Sequence, residues 1–97
     1  MGKPKSTGGK MRASHILVPK YSQLLQIKEK LDAGQKFEIL AKEFSQCSSK
    51  NKGGDLGFFE RGKMVPEFEK TVLSLRVGEI SEPVKTQFGW HLIKRTA

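Results

Sequence analysis

The apolar residues of this chain fall into short segments, each closed by a glycine, a proline or a polar turn. No segment comes near the roughly 18 consecutive apolar residues that read as a membrane-spanning helix. Strand-like runs alternate with helical periodicity, and 97 residues is the length of one domain. The chain therefore has to build a single modest core in which strands and helices share the apolar surface.

The spacing of the apolar residues predicts the order strand, helix, helix, strand, helix, strand, strand. We expect the seven elements over residues 11–18, 22–33, 37–44, 56–59, 66–77, 82–86 and 90–95. Strands that are few and mixed with helices favour an α+β fold, in which helices pack against one sheet.

Capping and turn residues set the predicted ends of the helices. Ser22 is a suitable N-cap for the first helix, and Gly34 is a suitable stop. Pro66 is suited to the first position of the third helix, and Gly78 ends it. The polar stretch 45–54 is predicted to be a loop.

Inner helix faces follow from i, i+3, i+4 and i+7 spacing. The expected inner residues are Leu24, Ile27 and Leu31 in the first helix, Phe37, Leu40, Ala41 and Phe44 in the second, and Phe68, Val72 and Leu75 in the third.

Positive charge is concentrated at the N-terminus. The chain carries +8 in total, and four basic residues without an acid lie in residues 1–12. Residues 1–10 mix Gly, Pro, Ser, Thr and Lys without apolar periodicity, so we expect a flexible basic tail. Such a tail either contacts nucleic acid or another polyanion weakly, or only aids solubility; composition favours the second role.

Cys47 is the single cysteine, so the chain has no internal disulfide. Lysines near the N-terminus are not followed by an apolar run, as they are in a secretory signal. Both features predict a cytoplasmic protein that does not engage a membrane.

Three residues can carry chemistry: His15 on the first strand, Cys47 in the loop and His91 on the last strand. They lie together only if both terminal strands are central in the sheet. Three interpretations stay open at this point. The residues form a zinc site, or a Cys–His nucleophilic pair, or two structural histidines with Cys47 shaping a pocket. Spacing disfavours zinc, because close-paired ligands are absent from the sequence.

Six segments in order resemble the parvulin (PpiC-type) family of peptidyl-prolyl cis/trans isomerases. They are 14–18 (SHILV), 37–44 (FEILAKEF), 53–59 (GGDLGFF), 61–68 (RGKMVPEF), 77–84 (VGEISEPV) and 86–93 (TQFGWHLI). The resemblance runs from about residue 11 to residue 97 and implies a single free-standing catalytic domain. It also implies a four-stranded antiparallel sheet surrounded by about four helices, an FKBP-like superfold.

The resemblance implies rotamase activity on Xaa-Pro bonds, with a role in protein folding and with no metal or cofactor. The implied catalytic residues are His15, Cys47, Thr86 and His91, and the implied substrate-binding residues are Leu56, Phe59, Met64 and Phe68. Among the latter, Leu56, Met64 and Phe68 would form the apolar pocket for the proline ring. Periodicity alone would assign them to the ordinary core, and a shallow site in a small domain can use the same residues for both.

The expected roles differ within the catalytic set. We expect His15 and His91 to hydrogen-bond each other, with Thr86 orienting them. Cys47 would lie beside the substrate carbonyl and act electrostatically. Nucleophilic attack by Cys47 is the alternative, which rotation about an amide does not require.

Substrate choice is partly visible in the sequence. Parvulins that demand a phosphorylated residue before proline carry an arginine-rich loop after the first strand, whereas here residues 19–21 (PKY) form the connection. Lys20 alone is not a bidentate phosphate clamp, so we expect no phospho requirement. Four basic residues either favour a substrate with an acidic residue near the proline or are simply solvated. They are Lys50, Lys52, Arg61 and Lys63.

The expected partners are proline-containing peptides and unfolded or partly folded proteins, bound by a monomer. Three other function classes stay open: a peptide-binding or chaperone module with little catalysis, a nucleic-acid contact through the tail, and a zinc enzyme.

Overall fold

A computed structural model describes residues 9–97 of the chain. The predicted flexible tail, residues 1–10, therefore lies outside the described residues except for Gly9 and Lys10, which are both exposed.

One four-stranded antiparallel sheet organises the described residues. Its strands are β1 (Met11–Val18), β2 (Asp55–Phe59), β3 (Val84–Thr86) and β4 (Gly89–Arg95). They are arranged in the order β2-β1-β4-β3, and each neighbouring pair is antiparallel. The first and last strands of the chain are therefore the two central strands, which is the arrangement that brings His15 and His91 together.

Four helical segments cover this sheet in the described part of the chain. They are α1 (Tyr21–Asp32), α2 (Phe37–Phe44), a 3₁₀ helix (Ser48–Lys52) and α3 (Pro66–Ser74). The predicted α+β class with about four helices is thus confirmed, and the fourth is a 3₁₀ helix. None of the helices between residues 9 and 97 has the length and apolar character of a membrane span.

Strand β1 contributes buried side chains to both faces of the sheet. Successive side chains of a strand point to opposite sides, so its residues divide between two apolar clusters. Its even-numbered residues Ile16 and Val18 pack with α1 and α2 in one apolar cluster. Its odd-numbered residues Met11 and Ala13 pack with α3 in a second cluster. The continuous run Ile16-Leu17-Val18, which predicted the strand, reflects this two-sided burial.

The helix α3 faces the second cluster and begins at Pro66, as predicted. Phe68 and Val72 are its buried residues. They contact the apolar side chains of β1, β2 and β4 that share this face, which are Met11, Ala13, Phe59 and Ile93. The odd-numbered histidines of the central strands lie on this same face, so α3 is the helix that closes over them.

The predicted N-cap of α1 is wrong. The helix begins at Tyr21, one residue before Ser22, and its N-cap is Lys20. The backbone N–H of Lys20 donates to the Gln23 side chain at 3.2 Å. A local hydrogen bond to Gln23 therefore supplies part of the capping that the sequence assigned to a serine hydroxyl.

The end of α3 also differs from the prediction. The helix stops at Ser74, and Leu75 is already extended. Arg95 of β4 donates to the carbonyls of Val72 and Leu75 at 3.3 and 3.0 Å. Gly78, the predicted stop, instead turns the chain with φ +94° and donates to the Arg95 carbonyl.

Three smaller expectations need correction. The segment 45–54 is not wholly a loop, because it contains the 3₁₀ helix. Phe44, the last residue of α2, is 39% exposed and is not among the buried residues of that helix. Strand β3 begins at Val84, two residues later than predicted, because Pro83 has no N–H for a sheet hydrogen bond.

Candidate active site

His15 and His91 occupy the centre of the sheet face that α3 covers. His15 is directly opposite Ile93, and His91 is directly opposite Leu17. This register sets the two imidazoles diagonally across the β1–β4 ladder, with ring centroids 5.1 Å apart. Both residues are at least 95% buried.

A hydrogen-bonded chain links three of the predicted catalytic residues. The Nδ1 atoms of His15 and His91 are 2.9 Å apart. The Thr86 hydroxyl lies 2.6 Å from His91 Nε2 and also accepts the backbone N–H of Phe88 at 3.1 Å. In the Nδ1–Nδ1 bond one ring donates and the other accepts, so the two rings hold different tautomers. The predicted contact between the histidines, oriented by Thr86, is present.

Burial keeps both imidazoles neutral. Desolvation lowers the pKa of His91 from 6.5 to about 4. Desolvation, together with the neighbouring His91, also lowers the pKa of His15 from 6.5 to about 4. At neutral pH the pair is therefore a polar but uncharged hydrogen-bonding unit in apolar surroundings.

Phe68 connects the histidine pair to the apolar side of the site. Its ring meets His15 and His91 edge-on, with centroid distances of 5.6 and 5.8 Å. Leu56 and Met64 are half-buried and pack against the same cluster as Phe68. These apolar residues thus belong to the core and to the site together, as a small domain requires.

A cavity of about 370 Å³ opens beside these groups. Its walls hold the larger part of the predicted site residues, namely His15, Cys47, Leu56, Met64, Phe68 and His91. The cavity wall is mainly apolar. The two imidazoles line it from the sheet, and the Cys47 thiol lines it from the adjoining loop. Such a hollow has room for a proline ring together with neighbouring peptide atoms, and its apolar wall suits the ring.

Two predicted residues are not on the cavity wall. Phe59 is buried behind Phe68, with ring centroids 6.2 Å apart, so it supports that ring from the core. Thr86 reaches the cavity only through His91. The chemical roles predicted for both residues stay predictions.

Four further residues line the cavity and were not predicted as binding residues of the proline pocket: Leu17, Lys63, Val65 and Phe88. Leu17 looked like ordinary strand core, and Phe88 looked like part of a turn. The one available signal was Phe88 itself, because a large aromatic residue is unusual in a two-residue hairpin turn.

Cys47 is held at the cavity by the segment that leads into the 3₁₀ helix. Its backbone N–H donates to Ser45 Oγ at 3.3 Å, and that hydroxyl also accepts the N–H of Leu17 at 3.0 Å. At the other end of the segment the Gly54 carbonyl accepts the N–H of His15 at 3.0 Å. Both ends of the loop are thus tied to β1 beside the histidines.

The zinc site considered from the sequence has no matching cluster of ligands in the described part of the chain. Between residues 9 and 97, His, Cys, Asp and Glu side chains form no group of three or more that could hold an ion. The Nδ1 atoms of the two histidines are directed at each other and not at a common point.

A second and larger cavity, of about 590 Å³, lies between α1, α2 and the segment before β3. Charged residues line it, and they pair with one another: Lys94 with Glu38 at 3.4 Å, and Lys28 with Glu82 at 4.0 Å. A hollow with ion pairs in its wall suits a proline ring less well than the smaller, mainly apolar cavity, which is therefore the candidate site.

The chain is similar to bacterial foldase proteins. It is 53% identical over 89 residues to the foldase protein PrsA of Bacillus subtilis, covering 91% of this chain and 30% of that protein. It is 54% identical over 88 residues to PrsA of Geobacillus kaustophilus. The chain spans about a third of the length of these curated relatives.

Solved structures give the same result. The crystal structure of PrsA from Bacillus subtilis superposes with a TM-score of 0.90 at 52% identity, over 93% of this chain and 36% of that one. NmPin, the parvulin of Nitrosopumilus maritimus, gives a TM-score of 0.83 at 50% identity, over 98% of this chain and all of that one. The family model described as "Rotamase: PPIC-type PPIASE domain" matches residues 8–97. The chain therefore belongs to the PPIC-type family of peptidyl-prolyl isomerase domains, the parvulins.

Proposed function

We propose that this chain accelerates rotation about Xaa-Pro bonds in peptides and in unfolded or partly folded proteins. The observation that carries the proposal is an apolar cavity with room for a proline ring, in which the deeply buried polar side chains among the described residues are a neutral histidine pair. Relatives named foldase and peptidylprolyl isomerase support it.

The reaction needs a site that disfavours the planar amide. An amide resists rotation by about 18–20 kcal/mol because resonance makes it planar, and the planar form is strongly dipolar. The twisted form has lost that resonance and is less dipolar. An apolar cavity therefore penalises the ground state more than the transition state.

Binding of the ring supplies the second contribution. With the proline ring held by Leu56, Met64 and Phe68, only the side of the bond that precedes proline has to turn. The proline nitrogen becomes pyramidal in the twisted state and can accept a hydrogen bond, which would lower the barrier further. No covalent bond breaks and no proton has to leave.

Cys47 and the histidines would act on the rotating carbonyl. The neutral imidazoles hold a fixed hydrogen-bond chain through Thr86, so the dipoles around the carbonyl need little reorganisation during the turn. Cys47 contributes a weakly polar group at the cavity wall. These roles require the side chains to be polar and well placed, and they do not require a nucleophile.

Isomerase activity is tested by NMR exchange spectroscopy on short peptides containing Glu-Pro, Leu-Pro, Lys-Pro and Ser-Pro. We expect acceleration by the unaltered chain and a strong loss in Met64→Ala, because the cavity loses one side of the ring's pocket. Leu73→Ala is the matched control, since Leu73 is an exposed residue of α3 outside the cavity. Binding without acceleration of any peptide would instead identify a chaperone module.

We also propose that the activity needs no phosphate before proline. The connection between β1 and α1 is only Pro19 and Lys20, so it contains no arginine clamp. Adding a phosphoserine-Pro peptide to the same set tests this proposal. Acceleration of that peptide alone would keep the isomerase activity and overturn the specificity.

Three other proposals from the sequence are independent of the site. Sedimentation at several concentrations tests the monomeric state, and fluorescence microscopy of the tagged chain tests the cytoplasmic location. DNA binding that falls steeply with salt, and that disappears when residues 1–10 are removed, would support a polyanion contact through the tail.

A further inference from the structure

Ser45 is a buried serine between the end of α2 and Cys47. It is 3% exposed and is the C-cap residue of α2. Its backbone N–H donates to the carbonyl of Ala41 at 3.0 Å, so the backbone alone supplies the last hydrogen bond of the helix. The side-chain hydroxyl is therefore not needed to end α2, and its burial has another cause.

Beyond the end of β2, the Ser45 hydroxyl takes the place of a strand carbonyl. The pairing of β1 with β2 reaches only as far as Ser14. Further along β1, the backbone N–H of Leu17 donates to Ser45 Oγ at 3.0 Å, and the carbonyl of Leu17 accepts the N–H of Gln46 at 2.7 Å. A neighbouring strand offers the same combination of one acceptor and one donor. Residues 45–46 thus continue the sheet beside β1, with a side-chain oxygen in place of a backbone oxygen.

The same hydroxyl also holds Cys47. The backbone N–H of Cys47 donates to Ser45 Oγ at 3.3 Å. A single oxygen atom therefore accepts one hydrogen bond from β1 and one from the backbone of Cys47. Since Leu17 lies two residues after His15 on β1, this oxygen fixes the Cys47 backbone relative to the strand that carries His15.

The residues assigned to the proline ring are held by other contacts. Leu56 and Met64 pack against the cluster that contains Phe68. At the far end of the loop, the Gly54 carbonyl accepts the N–H of His15 at 3.0 Å. Loss of the Ser45 hydroxyl would therefore release the Cys47 end of the loop and leave the ring pocket in place.

We infer that Ser45 is a positioning residue for the isomerisation, because its hydroxyl holds Cys47 in the place from which the thiol acts on the rotating carbonyl. This inference rests on the proposed function, which puts that carbonyl beside Cys47 and the histidine pair. Ser45 is not one of the cavity-lining residues, so it acts on the substrate through Cys47. A misplacement of about 1 Å is enough to slow a positioned reaction.

The first test measures kcat and KM of Ser45→Ala separately on a Leu-Pro peptide. We expect kcat to fall by about threefold to fivefold and KM to stay within about twofold, since Cys47 shifts while the ring pocket remains. An unchanged kcat, or a loss that is confined to KM, would refute the inference.

Ser81→Ala is the matched control. Ser81 is a second buried serine, and its hydroxyl accepts the backbone N–H of Ile93 on the other central strand at 3.0 Å. It is also not among the cavity-lining residues. The control should leave kcat unchanged. An equal fall of kcat in Ser81→Ala would mean that any loosening of the central strands slows the reaction, and the specific role of Ser45 would be refuted.

A double-mutant cycle tests whether Ser45 acts through Cys47. Ser45→Ala is introduced into the unaltered chain and into Cys47→Ala. We expect the loss of kcat in the first background and less than about a 1.5-fold change in the second, because no thiol is left to misplace. The same loss in both backgrounds would show a merely structural effect and would refute the inference.

Hydrogen exchange of the unaltered chain tests the two bonds without any substitution, so it applies even if Ser45→Ala fails to fold. The amide protons of Leu17 and Cys47 both donate to Ser45 Oγ, and both should exchange much more slowly than in an unfolded chain. Exchange of the Cys47 amide at the rate of an unfolded chain would overturn the assignment.

If the unaltered chain accelerates no peptide, the proposed function fails and the position of Cys47 is judged by its chemical reactivity. The rate at which iodoacetamide alkylates the thiol should then change by at least about threefold in Ser45→Ala, because the cavity wall no longer holds Cys47 in one place. Ser81→Ala should react at the rate of the unaltered chain. Equal rates in all three proteins would show that Ser45 does not position Cys47.

Discussion

At the scale of single residues, the site depends on close approaches that few side chains allow. Gly54 is the tightest of them. A Cβ at this position would lie 2.5 Å from the His15 carbonyl and 3.2 Å from the Ala41 side chain, and the backbone has φ +89°. The loop that holds Cys47 can therefore meet β1 only with glycine at this point.

Gly54→Ala should cost roughly 3 kcal/mol or more of unfolding free energy, because the clash with backbone adds to the strain of a positive φ. Gly34→Ala should cost only about 1 kcal/mol, since Gly34 has φ +102° but nothing within 4 Å of its Cβ position. Urea unfolding of both variants measures the difference, and equal losses would show that the close approach is unimportant.

The buried histidines predict how stability depends on pH. Their pKa values are about 4 in the folded chain and near 6.5 when exposed, so the unfolded chain binds more protons between these values. The stabilisation by the neutral pair is fully present above about pH 6.5 and is lost as pH falls toward 4.

Two measurements check this prediction. The NMR signals of both imidazoles should stay unchanged down to about pH 5, and the unfolding free energy should decline from pH 6.5 to 4. In the matched variant His15→Gln/His91→Gln the decline should be smaller. A histidine that titrates near 6.5 in the folded protein would contradict the burial argument.

Cys47→Asp separates an electrostatic role from a nucleophilic one. We expect the variant to lose less than about tenfold in kcat/KM, whereas removal of a true nucleophile costs on the order of a millionfold. NMR exchange spectroscopy on a Leu-Pro peptide measures the change. Complete loss of isomerase activity in a variant that remains folded would favour nucleophilic attack by the Cys47 thiolate. The variant Cys47→Ser would then show whether sulfur is required.

At the scale of secondary-structure elements, α3 has to stay in place because it carries Phe68 over the histidines. Its N-terminus is set by Pro66 in the sequence. Its C-terminus is held by Arg95, whose guanidinium bonds to the carbonyls of Val72 and Leu75. The positive charge also complements the negative end of the helix dipole.

Arg95→Met should lower the unfolding free energy by about 1.5–3 kcal/mol, since hydrogen bonds from a charged donor are lost and two carbonyls lose their partner. Arg76→Met is the matched control, because Arg76 is an exposed arginine close to the same helix end. A similar loss in both variants, measured by urea unfolding, would contradict the assignment of Arg95 as the helix cap.

At the scale of the whole molecule, one sheet separates two apolar clusters and joins them. β1 and β4 contribute side chains to both clusters, because alternate residues of each strand point to opposite faces. Neither cluster can lose its packing without disturbing the shared strands. This arrangement favours a single cooperative unfolding transition.

Probes of the two faces should therefore report the same midpoint. Trp90 is packed against the cluster of α1 and α2, so its fluorescence follows one face. The NMR signals of Met64 follow the other face. Val72→Ala, although buried only on the α3 side, should shift both midpoints equally, and separate midpoints in urea would refute the cooperative coupling.

Elements whose signals are local could be predicted from the amino-acid sequence. The bounds of β1 and α2 were predicted correctly, because a compact apolar run before Pro19 and a strong i, i+3, i+4 period need no distant partner. The start of α3 followed from Pro66 in the same way. The helix ends that were wrong, at Ser22 and Gly78, have different causes. The start of α1 depends on a local hydrogen bond to Gln23 that competes with a serine cap, and the end of α3 depends on an arginine of β4 that is distant in sequence.

The residues that form the surface of the site became clear only from the packing of the elements. Motif resemblance supplied most of the cavity residues, but it also named Phe59 as a substrate-binding residue, whereas that ring lies behind Phe68. It assigned no role to Leu17 and Phe88, although both lie within matched segments. The contact between His15 and His91 spans 76 positions in sequence, and it exists because the strand register sets the two rings diagonally opposite. Periodicity reports which face of an element is apolar, whereas a cavity wall is made where several such faces meet.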